Sequence, residues 1–90
     1  MLSFKTFDEV IERANNHELG LSSYICTNSM DKAHKASELM ETGTVAVNTA
    51  VVALPEAPFG GIKQTGYGRE GGSMAIKDYL NIKYTHLGIN

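Results

Sequence analysis

The chain has 90 residues, with 8 basic and 10 acidic side chains, a formal charge of −2 and 42% hydrophobic residues, values typical of a small soluble globular domain. One core is the most that such a length can bury, which excludes a complete enzyme with separate cofactor and substrate domains. The near-neutral charge argues against nucleic-acid and anionic-membrane partners. No apolar stretch approaches the roughly 20 residues that span a bilayer.

The cysteine and histidine content further limits the kinds of site that the chain could form. The single cysteine, Cys26, cannot form an internal disulfide, and the histidines at positions 17, 34 and 86 lack metal-ligand spacing. No signal-peptide core can form before Lys5. These features predict no metal site and a reducing compartment, by default the cytoplasm.

The first predicted element is a helix that begins at Thr6. Thr6 and Glu9 have the spacing of a capping box, and Asn15, Asn16 and Gly20 supply a stop. Apolar residues recur at i, i+3, i+4 and i+7, which predicts a helix docked by one face. They are Phe7, Val10, Ile11 and Ala14.

A strand, a helix and a second strand follow. Residues 21–27 predict a short buried strand, in which Cys26 would be an inert small hydrophobic residue. The helical pattern runs from Asn28 or Ser29 to Thr42, with Gly43 in the stop position, and residues 44–48 form the next strand. This order and size predict a right-handed parallel crossover.

Prolines and glycines crowd residues 55–72. Apolar residues spaced through that stretch favour an ordered loop whose glycines permit tight turns and close backbone approach. Ser73 then caps a predicted short helix, and residues 82–87 alternate like a terminal edge strand. The predicted fold class is therefore α/β: helix-strand-helix-strand, glycine-rich loop, short helix and terminal edge strand.

Residues 66–71, Gly-Tyr-Gly-Arg-Glu-Gly, match the glycine fingerprint of dinucleotide-binding folds. The fingerprint should follow a hydrophobic strand, and here it follows Gly-Ile-Lys-Gln-Thr. A small nucleotide-binding domain built on Gly66–Gly71 is therefore only an alternative. Glu70 beside Arg69 suggests a structural ion pair, and no acid/base pair or nucleophile with a base is evident, so no catalytic residue is assigned.

The loop Ala-Pro-Phe-Gly-Gly-Ile-Lys-Gln-Thr-Gly at 57–66, followed by Gly-Arg-Glu-Gly at 68–71, resembles the C-terminal signature of NAD(P)-dependent aldehyde dehydrogenases. Residues 7–15, 20–24 and 43–48 are similar to the preceding elements of that family. Residues 79–84 most resemble its succinate-semialdehyde dehydrogenase branch. The resemblance covers almost the whole chain and implies a C-terminal fragment.

The resemblance implies a piece of a parallel three-layer α/β catalytic domain over residues 1–81 and an oligomerisation strand over residues 82–90. In that family a cysteine thiolate attacks the aldehyde, a glutamate is the general base, and NAD or NADP accepts hydride. None of those motifs occurs here, so the resemblance implies activity in a longer parent, with the 90-residue chain alone inactive and binding no cofactor.

The resemblance also implies roles for the loop. It places a substrate-pocket wall at Val51, Val52, Ala53, Leu54 and Phe59, with Phe59 also near the cofactor. Rigid anchoring of Phe59 between Pro58 and Gly60 suits an apolar wall, although the ring could instead fill the core beneath the loop. Asn48 is expected to bind backbone groups. Ala53 stands where the succinate-semialdehyde branch has a serine that holds the distal carboxylate, which favours an uncharged or longer aldehyde.

The resemblance implies that the terminal strand Ile82–Leu87 serves homo-oligomer assembly. Edge-strand physics permits this role, because an exposed edge is a template for another chain. A free-standing interaction or regulatory module is the other alternative.

Overall fold

The computed structural model describes residues 1–89, in which two helices alternate with short strands. The helices are α1, Phe7–Asn15, and α2, Met30–Leu39, and a 3-10 helix spans Ala75–Tyr79. The strands are β1, Leu19–Gly20; β2, Ser22–Ile25; β3, Thr44–Val47; and β4, Ile62–Lys63. The α/β class predicted from the sequence is confirmed.

Helix α1 begins at the predicted cap. Thr6 Oγ1 accepts the Glu9 N–H at 3.1 Å, and Glu9 Oε2 accepts the N–H of Lys5 at 2.9 Å. Arg13, one turn later, pairs with Glu9 at 3.0 Å. The Thr6 side chain therefore satisfies one of the N–H groups that the start of a helix leaves free, and Glu9 returns a bond to the residue before the cap.

Strands β2 and β3 form the predicted parallel pair, with a register from Ser22↔Thr44 to Ile25↔Val47. Helix α2 connects them and is capped by Ser29, whose Oγ accepts the Lys32 N–H at 3.3 Å. Among the described residues, the buried apolar side chains are three alanines, Ala33, Ala36 and Ala46. This segment alone therefore builds only a small core.

Helix α2 ends three residues before the predicted end at Thr42. Asn15 takes over the last backbone groups: its Nδ2 donates to Leu39 O at 2.7 Å, and its Oδ1 accepts from Glu41 N at 2.9 Å. Gly43 is therefore not the helix stop. It is instead a close-approach position, since a Cβ there would overlap the carbonyl oxygen of Gly60.

The strand predicted over residues 21–27 is observed only over Ser22–Ile25, and a separate two-residue strand precedes it. Leu19 and Gly20 form β1, which pairs antiparallel with the unpredicted β4 through Gly20↔Ile62. Strand β2 ends at Ile25, so Cys26 lies beyond it and is exposed. The prediction of a buried Cys26 is wrong, because the ladder ends one residue earlier.

The C-terminal part departs most from prediction. Met74, not Ser73, precedes the 3-10 helix, and no side chain caps it. Residues 82–87 form no strand, since no strand of the described chain pairs with them; Asn90 lies outside the described residues. Ile82 is 99% and Tyr84 84% exposed.

The dimensions reflect this exposed tail. The radius of gyration is 18.3 Å and the extents are 72 × 25 × 21 Å, whereas a compact chain of this length has a radius of about 12 Å. Within residues 1–89, no helix has the length and apolar character needed to cross a membrane.

Candidate functional site

Residues 59–70 form a closed lobe, called here the Phe59 lobe. At its ends Phe59 and Glu70 exchange both backbone hydrogen bonds, each at 2.7 Å. At its centre β4 pairs with β1, and Gly20 N donates to Thr65 Oγ1 at 2.7 Å. The glycine-rich stretch is thus an ordered loop, as predicted.

Arg69 ties the two sides of the lobe together. Its Nη1 donates to the carbonyl oxygens of Gly61 at 2.9 Å and Gly68 at 2.8 Å. Its backbone N–H donates to Asp78 Oδ2 at 2.7 Å. The predicted ion pair with Glu70 is not among the ion pairs of residues 1–89, because the guanidinium is used on carbonyl groups.

Glycine is required where the lobe meets the preceding turn. Gly71 has φ +68°, and a Cβ there would lie 2.6 Å from Ala57 O. Gly72 N donates to Pro55 O at 2.8 Å, and Ala57 N donates to Leu54 O at 3.1 Å. The turn that follows the predicted pocket-wall segment is therefore fixed against the end of the lobe.

An open cleft of about 460 Å³ lies along the lobe. Phe59, which is half-buried, shares it with Leu21, Tyr67 and Tyr79 and with the polar side chains of Arg69 and Asp78. Tyr67 and Tyr79 are exposed, and Arg69 and Asp78 are bonded within the lobe, so this surface is an open face with Phe59 as its half-buried aromatic residue.

Val51, Val52, Ala53 and Leu54 lie in the irregular segment before the turn. Val51 and Leu54 are exposed and Val52 is half-buried, and none of the four lines the cleft beside Phe59. Within residues 1–89 the structure therefore does not join them to Phe59 in one pocket. A pocket that includes both needs walls from other residues.

Asn48 acts as predicted. Its Oδ1 accepts the Thr27 N–H at 2.9 Å, and its Nδ2 donates to the Thr27 carbonyl at 2.8 Å. Asn48 has φ +54°, a region that Asn tolerates better than most residues. The side chain joins the ends of β2 and β3 and starts the irregular segment.

Lys63 and Asn15 are structural anchors that sequence reasoning missed. Lys63 Nζ donates to the carbonyl oxygens of Asn15 at 2.9 Å and His17 at 3.2 Å, and it pairs with Glu41. The sequence signal was weak, since a lysine in a two-residue strand has no periodic context. Asn15 was noted only as a helix stop.

A second groove, of about 460 Å³, lies between α1, β2 and α2 and is mainly apolar. Cys26 lines it together with Phe4, Phe7 and Tyr24. Of residues 1–89, no histidine or carboxylate lines this groove. In the part of the chain described, no three His, Cys, Asp or Glu side chains form a group that could hold a metal ion.

Three backbone donors of the glycine fingerprint at 66–71 are used internally. Arg69 N donates to Asp78, Glu70 N donates to Phe59 O, and Gly66 N lies 3.5 Å from Lys63 O. The Asp78 carboxylate already accepts the Arg69 N–H at the turn where a phosphate would need free N–H groups. This arrangement disfavours the nucleotide-binding alternative.

The described residues form an α/β segment with an ordered aromatic lobe, and comparison with known proteins shows the family to which it belongs. The sequence profile of the aldehyde dehydrogenase family matches residues 1–85. The chain belongs to the aldehyde dehydrogenase family.

Three relatives illustrate the similarity. The chain is 49% identical to the 3-sulfolactaldehyde dehydrogenase of Pseudomonas putida, over 98% of this chain and 18% of that protein. It is 40% identical to the NADP(+) succinate-semialdehyde dehydrogenase of Escherichia coli K12, over 99% of this chain and 18% of that protein. An NAD+ complex structure of aldehyde dehydrogenase from Bacillus cereus superposes on this chain with a TM-score of 0.87 at 41% identity. The superposition covers 91% of this chain and 17% of that structure. The chain thus spans about a fifth of the length of these relatives.

Proposed function

We propose that these residues are the C-terminal part of the catalytic domain of an NAD(P)-dependent aldehyde dehydrogenase, which oxidises an aldehyde to a carboxylic acid. The family match over residues 1–85, in a chain that spans 18% of its relatives, supports the family. The C-terminal placement rests on the resemblance of residues 57–71 to the C-terminal signature of that family. The thiolate nucleophile and the general base then belong to other parts of the parent.

The role proposed for this segment is to shape the reaction chamber. Phe59 is held by backbone bonds on both sides of the lobe, so its ring can serve as a rigid wall against substrate and nicotinamide. NAD or NADP supplies the hydride acceptor when bound. The half-buried position of Phe59 in an ordered loop supports this role. Val51–Leu54 form the apolar entrance of the reaction chamber. Because residue 53 is an alanine, this segment offers the substrate no hydroxyl donor.

Two observations bear on the substrate. The relatives' names refer to sulfolactaldehyde and succinate semialdehyde, both of which carry an acidic group distal to the aldehyde. The segment Val51–Leu54 supplies only aliphatic side chains, and an anion left unpaired against such groups is strongly disfavoured. The relatives' names thus point to an acidic aldehyde, whereas the aliphatic segment points away from one. From Ala53 we infer that an uncharged or longer aldehyde is the better substrate of the parent.

A chimera tests the proposed activity. In it, this chain replaces the matching residues of the E. coli succinate-semialdehyde dehydrogenase, to which it is 40% identical. The chimera is expected to form NAD(P)H from an aldehyde at a rate within about a hundredfold of the unmodified enzyme, since a misplacement of about 1 Å can cost that much. A folded chimera without activity would contradict the proposal.

Fragment complementation tests the C-terminal placement separately. The same E. coli enzyme, shortened by its C-terminal 90 residues, is co-expressed with this chain; as a control, the enzyme shortened at its N-terminus by the same length is used. Activity restored in the first pair and not in the second supports the placement. The reverse result would place the segment at the other end of the parent.

A further inference from the structure

Lys63 has a backbone conformation that most side chains avoid. Its φ is +57°, in the left-handed region, where a residue other than glycine, Asn or Asp is unusual. Such residues persist where surrounding contacts over-determine them, and they cluster at functional sites. Lys63 lies on β4, four residues after Phe59, and pairs with Leu19 on β1.

The Lys63 ammonium meets three oxygen acceptors, which equals its number of donors. Two are the carbonyl groups of Asn15 and His17, at 2.9 and 3.2 Å, where α1 ends. Carbonyl groups at a helix C-terminus carry partial negative charge that a cation stabilises. The third is the carboxylate of Glu41, two residues beyond the end of α2. The Lys63 side chain is only 26% exposed.

Asn15 completes the connection between the helices. Its side chain donates to Leu39 O at 2.7 Å and accepts from Glu41 N at 2.9 Å. The ends of α1 and α2 are therefore joined to each other, and the ammonium joins both to β4. A matching tether on the other side of β4 is the Gly20 N–H to Thr65 Oγ1 bond.

The connection continues from β4 to Phe59 through the Arg69 side chain and through backbone groups. Gly61, next to β4, accepts from the Arg69 guanidinium at 2.9 Å, and Glu70, next to Arg69, exchanges two backbone bonds with Phe59. A shift of β4 would thus be transmitted to the whole lobe.

We propose that Lys63 is a positioning residue for the Phe59 ring. It fixes the Phe59 lobe against the ends of both helices and thereby sets where the ring stands in the reaction chamber. This inference rests on the proposed function, in which Phe59 is part of the chamber wall.

The first test replaces the ammonium and keeps a long side chain. In the chimera, Lys63→Met is expected to lower kcat/KM for the aldehyde at least tenfold, since small misplacements of positioning groups have large effects. Lys63→Arg, which keeps a cation, is expected to retain more activity than Lys63→Met. The matched control is Lys35→Met, which breaks an exposed pair with Asp31 at 3.0 Å and is expected to leave kcat/KM within twofold.

A double-mutant cycle separates positioning from general support of the fold. If Lys63 acts through Phe59, Lys63→Met costs at least tenfold with Phe59 present and less than about twofold in the Phe59→Ala background, because interacting residues are not additive. An equal loss in both backgrounds would overturn the inference. So would a folded Lys63→Met chimera with unchanged kcat/KM.

Two further measurements distinguish a failure of the role proposed for Lys63 from a failure of the role proposed for Phe59. If Lys63→Met fails to fold, Glu41→Gln takes its place in the same cycle, since it removes one of the three acceptors and leaves the carbonyl contacts; additivity with Phe59→Ala then overturns the inference. If Phe59→Ala alone leaves kcat/KM unchanged, the chamber-wall role fails and the inference with it. A loss in Phe59→Ala together with additivity overturns only the role of Lys63.

Discussion

Single polar side chains organise this segment by capturing backbone groups. Asn48 bonds both the N–H and the C=O of Thr27, and Asn15 bonds Leu39 and Glu41 in the same way. An amide side chain has a donor and an acceptor, so one residue can satisfy two otherwise orphaned groups. Arg69 and Lys63 extend this pattern to carbonyl groups.

Glu9 gives the start of α1 a pH dependence. The hydrogen bond from the Lys5 N–H is the largest cause that lowers the pKa of Glu9; desolvation, the next in size, opposes it, and the Arg13 side chain and the Thr6 backbone lower the pKa further. A carboxyl whose pKa is lower in the folded state contributes stability above its unfolded pKa and loses it as pH falls through the folded value.

The corresponding experiment compares two neutralising substitutions in the chimera. Glu9→Gln is expected to lower the Tm at pH 7 and to have a diminishing effect as the pH falls below 4.5, the ordinary pKa of a glutamate. Glu12→Gln, in the same helix, is the control. Equal effects of the two substitutions at every pH would contradict the account of the cap.

Ala53 permits a direct test of the substrate inference. In the chimera, Ala53→Ser is expected to raise kcat/KM for succinate semialdehyde relative to butanal by about tenfold, since a hydrogen bond to a charged group contributes roughly 1.5–3 kcal/mol. Ala50→Ser, three residues earlier, is the matched control and should leave the ratio unchanged. A chimera that already strongly prefers succinate semialdehyde, with no response to Ala53→Ser, would show the inference to be wrong.

At the scale of elements, the sequence predicted those helices and strands whose signals lie within the element itself. Caps and periodicity predicted the start of α1, and the crossover from β2 through α2 to β3, because those signals lie within each element. The pairing of β1 with β4 was missed, since two-residue strands have no period and the partners are more than 40 residues apart. Alternation at Ile82–Leu87 predicted a strand that the described chain does not form, because alternation supplies no partner.

The candidate site was predictable in part for the same reason. Its ordered glycine loop followed from residue types, and Asn48 acts as expected. The Lys63 anchor and the Arg69 contacts depend on tertiary neighbours, which sequence patterns do not reveal. The chamber-wall role of Val51–Leu54 and Phe59 remains a prediction.

Gly43 tests how closely β3 and the Phe59 lobe approach. A Cβ at this position would overlap the Gly60 carbonyl, so Gly43→Ala in the chimera should destabilise the fold by about 1–3 kcal/mol. Gly88→Ala meets no atom within 4 Å and should change stability by less than roughly 0.5 kcal/mol. Denaturant unfolding measures both, and equal midpoints would contradict the close approach.

At the scale of the whole molecule, apolar exposure dominates. The buried apolar side chains of residues 1–89 are three alanines, whereas Phe4, Tyr67, Ile82 and Leu87 are among many large exposed ones. Monomeric soluble proteins rarely leave large contiguous apolar patches uncovered. Further protein, from the parent or from a second copy, is therefore expected to cover these surfaces.

The isolated chain should accordingly self-associate through its tail, as proposed for the homo-oligomer contact at Ile82–Leu87. Light scattering at high micromolar concentration is expected to show oligomers, and Ile82→Lys combined with Tyr84→Lys should reduce them. Tyr67→Lys, at an equally exposed position outside the tail, is the control. A monodisperse monomer of the unmodified chain would count against this contact.

The most direct test of the account is the rate of NAD(P)H formation by the purified 90-residue chain. Because we propose that the nucleophile and the base belong to other parts of the parent, we expect the chain alone to turn over no aldehyde with NAD or NADP. Turnover is expected only when the remainder of an aldehyde dehydrogenase is supplied. Reduction of the nicotinamide by the chain alone, in a preparation free of longer enzyme, would contradict the account.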